Sequence, residues 1–171
     1  SSDVCSSDLG MEYFIDAAEI TIKKHSNVRF FIVGDGELKD ELINRVKEKH
    51  LENLIQFLGY RSDIQNTMKQ FDFVVLSSLW EGLPLTPIEA FSVGKTVIGT
   101  SVDGTPEIIE DKENGLLVNA KDVRQLSDAM NILIEDENLR KELEVNAKKC
   151  YMEEFSFDKL AKEYRDYYGR L

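Results

Sequence analysis

From residue 11 to residue 135, short apolar runs rich in β-branched and aromatic residues alternate with stretches of helical period. Val28-Arg-Phe-Phe-Ile-Val33 ends at a glycine and reads as a buried strand. Ile55-Gln-Phe-Leu58, Phe73-Val-Val-Leu76, Thr96-Val-Ile98 and Gly115-Leu-Leu-Val118 read the same way. Between and after them, helices are expected over 11–24, 37–50, 62–70, 87–93 and near 106–110, then over 122–135, 138–150 and 156–168. This alternation predicts an α/β fold: a doubly wound parallel sheet with helices on both faces. Ligands of such sheets bind beyond the carboxyl ends of the strands. Four loops fall there: Gly34–Glu37, Gly59–Asp63, Ser77–Thr86 and Thr100–Glu107. The body opens on a helix, whereas a doubly wound half-domain opens on a strand and a phosphate-binding turn. The expectation is therefore that the first strand is missing.

The chain has 171 residues, which suits one domain. Its 21 basic and 32 acidic residues give a net charge of 21 − 32 = −11. That balance argues against sequence-independent nucleic-acid binding, which needs phosphates neutralised by Lys and Arg. An anionic ligand would have to be held locally, by backbone amides or by one or two cations. There is no run long enough to span a bilayer and no signal peptide at the start. Cys5 and Cys150 show neither metal spacing nor a disulfide framework, so a reducing cytoplasm is the default. Residues 1–9 (SSDVCSSDL) lack any period and repeat Ser-Ser-Asp. They read as a non-native, adapter-derived segment, which leaves residues 10–171 as one domain truncated at its N-terminus.

Three segments have the composition of a site. Gly34-Asp-Gly-Glu37 joins a strand to a helix, where glycines let the backbone approach a ligand; on these residues alone the signal is weak and a plain tight turn is the favoured reading. Ser77–Glu89 holds two glutamates, Glu81 and Glu89, separated by Pro84 and Pro87. Pro87 suits the first helical position with Thr86 as N-cap, which puts Glu81 in the loop and Glu89 in the first turn. Thr86-x-x-Glu89 is also a capping box, an architectural alternative for Glu89. Trp80 is expected to pack beneath this loop. Thr100–Glu107 reads as a loop ahead of a helix opened by Pro106.

Val33-Gly-Asp-Gly36, Phe57-Leu-Gly59, Glu81-x7-Glu89, Gly104-Thr-Pro-Glu107 and Glu113-Asn-Gly115 stand in the order and spacing of one family. Over about residues 10–168 the chain resembles the C-terminal, Rossmann-like domain of group 1 retaining glycosyltransferases of the GT-B fold. The resemblance implies transfer of a sugar from a UDP-, GDP- or ADP-linked donor to an acceptor hydroxyl, with retention of configuration. It implies that Glu89 holds the ribose hydroxyls and that the amides of Leu85 and Thr86 hold the diphosphate. Glu81, with the amides of Gly82 and Leu83, would face the transferred sugar, Glu81 orienting it and helping to polarise it. Tyr60 and Arg61 would lie against the base, and Gly34 and Gly36 near the diphosphate. The family needs no metal or other cofactor, and no Asp-x-Asp motif is present. Its acceptor site, and any peripheral membrane contact, belong to an N-terminal domain of the same protein.

Two departures limit the resemblance. Pro84 stands where many members have glycine, and proline has no N–H. The family's diphosphate-clamping Arg and Lys come from the first strand and its turn, here replaced by Ser1–Leu9. The chain alone is therefore expected to bind nucleotide weakly and not to catalyse transfer. The alternatives are a sugar-nucleotide epimerase or phosphorylase of the same fold and, from another functional class, a stand-alone nucleotide-binding or regulatory module.

Overall fold

The computed structural model describes residues 9–168. Among them, α1 (Met11–Lys24), β1 (Phe30–Val33), α2 (Lys39–Glu48), β2 (Ile55–Gly59), α3 (Ile64–Met68), β3 (Val74–Leu76), α4 (Leu85–Ser92), β4 (Val97–Thr100), β5 (Gly115–Val118), α5 (Val123–Glu135), α6 (Glu137–Cys150) and α7 (Phe157–Tyr168) follow one another. All strand pairings are parallel. β1 pairs with β2, and β3, β4 and β5 pair in that order.

Helices cover both faces, and β4 shows why. Its four residues are all buried, and successive side chains leave a strand on opposite sides. Ile98 joins a core with Phe14 and Ile15 of α1, Leu42 of α2 and Met130 of α5. Val97 joins a second core with Phe91 of α4, Ile109 and Ala147 of α6. Each fully buried large apolar side chain contributes about 1.5–3 kcal/mol.

The helical period of α1 has the same cause. Phe14, Ile15, Ala18 and Thr21 form its buried stripe, and Thr21 Oγ1 meets Ser127 Oγ of α5 at 3.0 Å. On its outer flank, Asp16 and Glu19 pair with Arg45 and Lys49 at 2.5–3.0 Å, binding α1 to α2 and the residue after it.

Three expected elements change. The helix expected from residue 87 begins at Leu85 with Pro84 as its N-cap, so Thr86 is not the cap. Pro87 thus occupies the third helical position, which is tolerated because first-turn N–H groups have no intrahelical acceptor. The segment near 106–110 is a single 3-10 turn, Thr105–Glu107. Between α6 and α7, Tyr151–Phe155 forms a π-helical turn that no local pattern announced.

Candidate functional site

A cavity of about 1020 Å³ opens at the carboxyl ends of β1, β2 and β3 and continues down between β1 and β3. Gly34, Tyr60, Arg61, Glu81, Leu83, Leu85, Thr86 and Glu89 all line it. Of the residues singled out in the sequence, Gly36 and Gly82 fall outside the lining. Gly36 is turned into its own loop: its N–H donates to Asp35 Oδ1 (3.1 Å), and Lys39 donates to Asp35 Oδ2 (3.2 Å). Those two donors, Lys39 first, hold the Asp35 carboxyl below its ordinary range. Gly34 has φ 129°, a conformation open to glycine alone, and its N–H donates to the Gly59 carbonyl at 2.8 Å.

The start of α4 gives the cavity its donors. Leu85 and Thr86 are the first two helical residues, and their N–H groups have no acceptor within the helix. Pro84 and Pro87 carry no N–H, so donation at this helix end rests on those two amides. The helix dipole adds partial positive charge there. The architectural reading of Glu89 also falls. With Pro84 as cap, Glu89 is the fifth helical residue and cannot close a capping box. Its half-buried side chain lines the cavity and, among the described residues, makes no hydrogen bond or ion pair.

Glu81 sits in a braced loop. Ser78, fully buried, donates from Oγ to Glu81 Oε1 at 2.7 Å. The Glu81 N–H donates to Asp103 Oδ2 at 2.9 Å. The Gly104 N–H donates to the Gly82 carbonyl at 3.1 Å, and Thr100 Oγ1 donates to the Ser78 carbonyl at 2.6 Å. The loop after β4 is therefore a support for the loop after β3, not an ordinary connection. A Cβ on Gly104 would lie 2.2 Å from the Gly82 carbonyl oxygen, so only glycine fits. Asp103 holds φ 41°, strained for a side chain with a Cβ. Ser78 and Asp103 carry no sequence signal of this role, because their partners are set by how two loops meet.

Trp80 departs from its expected place: it is 65% exposed, not packed beneath the loop. Tyr60, Leu83 and Leu85, also exposed, put apolar surface on the cavity lining.

The cavity's arginines are all engaged. Arg61 donates twice to Asp63, from Nε at 2.9 Å and Nη2 at 3.0 Å. This pairing lowers the Asp63 carboxyl and also explains why Asp63, the residue preceding α3, makes no capping bond. Arg140 donates to the Leu133 carbonyl and lies 3.6 Å from Asp72; Arg29 donates to the Val28 carbonyl. Among the described residues, no group of three or more His, Cys, Asp or Glu could hold a metal ion, and no helix is long and apolar enough to cross a membrane. Burial raises the Cys150 thiol, away from thiolate chemistry. The Glu113-Asn-Gly115 motif is architectural: Asn114 accepts from the Glu110 N–H and donates to the Ile108 carbonyl.

Comparison with known proteins gives a consistent result. The UDP-Gal:alpha-D-GlcNAc-diphosphoundecaprenol alpha-1,3-galactosyltransferase of Escherichia coli is 34% identical over 81% of this chain and 35% of its own length. HepE of Anabaena, solved with UDP, superposes with TM-score 0.88 at 27% identity over 97% of this chain and 46% of that one. The C-terminal domain of a group 1 family glycosyl transferase, LpcC from Francisella tularensis, gives TM-score 0.82 at 31% identity, over 89% of this chain and 82% of that one. The chain spans 31% and 35% of the length of two curated relatives that it matches. Residues 5–150 match the family described as glycosyl transferases group 1. With its parallel sheet, helices on both faces and GT-B neighbours, the chain belongs to the group 1 glycosyl transferases.

Proposed function

We propose that this chain is the donor-binding half of a retaining glycosyltransferase that uses a nucleotide-sugar. The observation that carries this reading is convergence. Residues from three loops and one helix end, spread over more than fifty positions of the sequence, meet in one cavity at the carboxyl ends of the strands. Structural neighbours add support: HepE of Anabaena has been solved with UDP and with UDP-glucose.

In this reading the Glu89 carboxylate accepts hydrogen bonds from both ribose hydroxyls. The Leu85 and Thr86 amides hold the diphosphate at the positive end of α4, where charge grows as the sugar leaves. Glu81, with the Gly82 and Leu83 amides, orients the sugar, and Tyr60 and Arg61 lie against the base. Gly34 lets the backbone pass close to the diphosphate, with Gly36 in the turn beyond it. The leaving phosphate helps deprotonate the acceptor hydroxyl, which arrives on the same face, so configuration is kept and no metal or other cofactor takes part. The acceptor site lies in an N-terminal domain of the full protein, which works in the cytoplasm and touches the membrane peripherally there.

Calorimetric titration of the 171-residue chain with UDP, GDP and ADP tests the first step. One nucleotide should bind, weakly, and Glu89→Gln should weaken it about 10–100-fold. Absence of binding to all three would falsify the donor-binding reading. Retention is tested on the full-length protein by following the product's anomeric signal from the first turnover; an inverted product sinks that part. Sugar transfer by the 171-residue chain alone would overturn its assignment as an inactive half.

A further inference from the structure

Ser78 is out of reach of any ligand, yet it governs a side chain that a ligand can touch. It is fully buried and does not line the cavity. Its hydroxyl donates to Glu81 Oε1 at 2.7 Å, and Glu81 does line the cavity. Other serines spend their proton differently: Ser77, Ser92 and Ser156 donate to backbone carbonyls. A buried hydroxyl needs a partner, and a backbone group is the usual one. At Ser78 the partner is a cavity-wall carboxylate.

Ser78 is itself held from β4. Thr100, also buried, donates from Oγ1 to the Ser78 carbonyl at 2.6 Å. The two bonds form a relay from the end of β4 through Ser78 to Glu81. A serine hydroxyl has one hydrogen, and here it is committed to Oε1. Among the described residues, Oε2 makes no hydrogen bond. One oxygen of Glu81 is therefore pinned and the other is left for a ligand.

The charges around this carboxylate have one sign. The Glu81 N–H donates to Asp103 Oδ2 at 2.9 Å, which brings a second carboxylate to the same loop. Among the described residues, the cavity lining contains arginines but no lysine. Arg61 is committed to Asp63, Arg140 to the Leu133 carbonyl and Arg29 to the Val28 carbonyl. An ionised carboxylate only accepts hydrogen bonds. A group that meets Oε2 must bring its own hydrogen, as a hydroxyl does. A second carboxylate brings none and is repelled.

We infer that Ser78 is a positioning residue for the transferred sugar, and that the Glu81 oxygen it leaves free selects a neutral sugar, held by a donating hydroxyl, against a sugar that carries a carboxylate. This deepens the donor-binding reading and rests on its assignment of Glu81 to the sugar.

The test separates sugar from nucleotide. The 171-residue chain is titrated, with detection by protein nuclear magnetic resonance, with UDP, GDP and ADP, each free, joined to glucose and joined to glucuronic acid. For the nucleotide that binds, the glucose form should bind about tenfold tighter than the glucuronic acid form. Ser78→Ala should weaken the glucose form about five- to tenfold and the free nucleotide less than about twofold. With Glu81→Ala already in place, adding Ser78→Ala should change neither affinity, and the gap between the two sugars should narrow. If Ser78→Ala does not fold, Ser78→Cys, near in size and a poor donor, makes the same comparison. A loss shared equally by the free nucleotide and the glucose form, or a loss that persists without Glu81, makes Ser78 architectural and overturns the inference. Equal binding of the two sugar forms overturns it as well. In each of those cases nucleotide binding survives, and the donor-binding reading with it. Binding of none of the three free nucleotides removes that reading, and the inference falls with it.

Discussion

The β3–β5 half and the β1–β2 half of this molecule are held by different means. In the first, β4 is paired on both sides and buried on both faces. The loops above it are cross-linked through Asp103, Gly104 and Thr100. In the second, two strands rest on α1 and α2, and an ion-paired cluster ties those helices together. Glu81, Glu89 and the Leu85 and Thr86 amides, proposed for the sugar, the ribose and the diphosphate, sit on the braced half; Tyr60 and Arg61, proposed for the base, and Gly34, proposed beside the diphosphate, sit on the other. The difference teaches that a braced loop can keep Glu81 in place beside a seam in the sheet. Its support comes from the loop after β4, not from the neighbouring strand.

The contrast in packing gives the largest expected effect. Phe91→Ala, in the fully buried second core, should cost about 3–5 kcal/mol in urea denaturation. Phe31→Ala, on the seam and stacked on Phe71 at 5.4 Å, should cost only about 1 kcal/mol. Equal costs would mean that the two halves are held alike. Next comes Gly104→Ala, whose Cβ collides with backbone and not with a flexible side chain. Nucleotide-sugar affinity should fall about tenfold or more, with far-ultraviolet circular dichroism unchanged.

Asp103 sharpens the comparison further. Asp103→Ala should speed exchange of the Glu81 amide by an amount equivalent to about 1–2 kcal/mol, while Asp103→Asn, which keeps an acceptor, should recover most of it. Equal rates in the two variants would remove Asp103 from the brace.

The smallest effect belongs to the other half. Hydrogen bonds from Lys23 and Lys49 hold the Glu19 carboxyl below its ordinary value of 4.5. A depressed folded-state value means that this contribution is fully present above that pH and is lost as pH falls through the lower, folded value. Glu19→Gln should therefore flatten the acid limb of the stability curve, by about 1 kcal/mol or less. An unchanged acid limb would show that the cluster is electrostatically idle.

Most elements were legible in the sequence because their patterns are local. Phe14, Ile15 and Ala18 carry the period of α1 within one helix, and each apolar run is bounded by its own glycine or polar residues. The start of α4 was not legible, because two prolines three residues apart each suit a helix start. Placing Pro84 at the cap moved Glu89 from a capping role to the cavity wall. The exposure of Trp80 was missed for a similar reason: a large apolar residue in a loop is usually buried, and only the path of the loop shows otherwise.

The sequence by itself determined the α/β class, the parallel order and the positions of the strand-end loops. Periodicity and turn residues act within a few neighbours along the chain, so they can be read along it. Only the tertiary structure decided which loops touch. Ser78, Glu81 and Asp103 meet because β3 and β4 are hydrogen-bonded neighbours, so the loops leaving them lie side by side. It also showed the seam between β1 and β3, since strand edges become neighbours through packing and not through sequence.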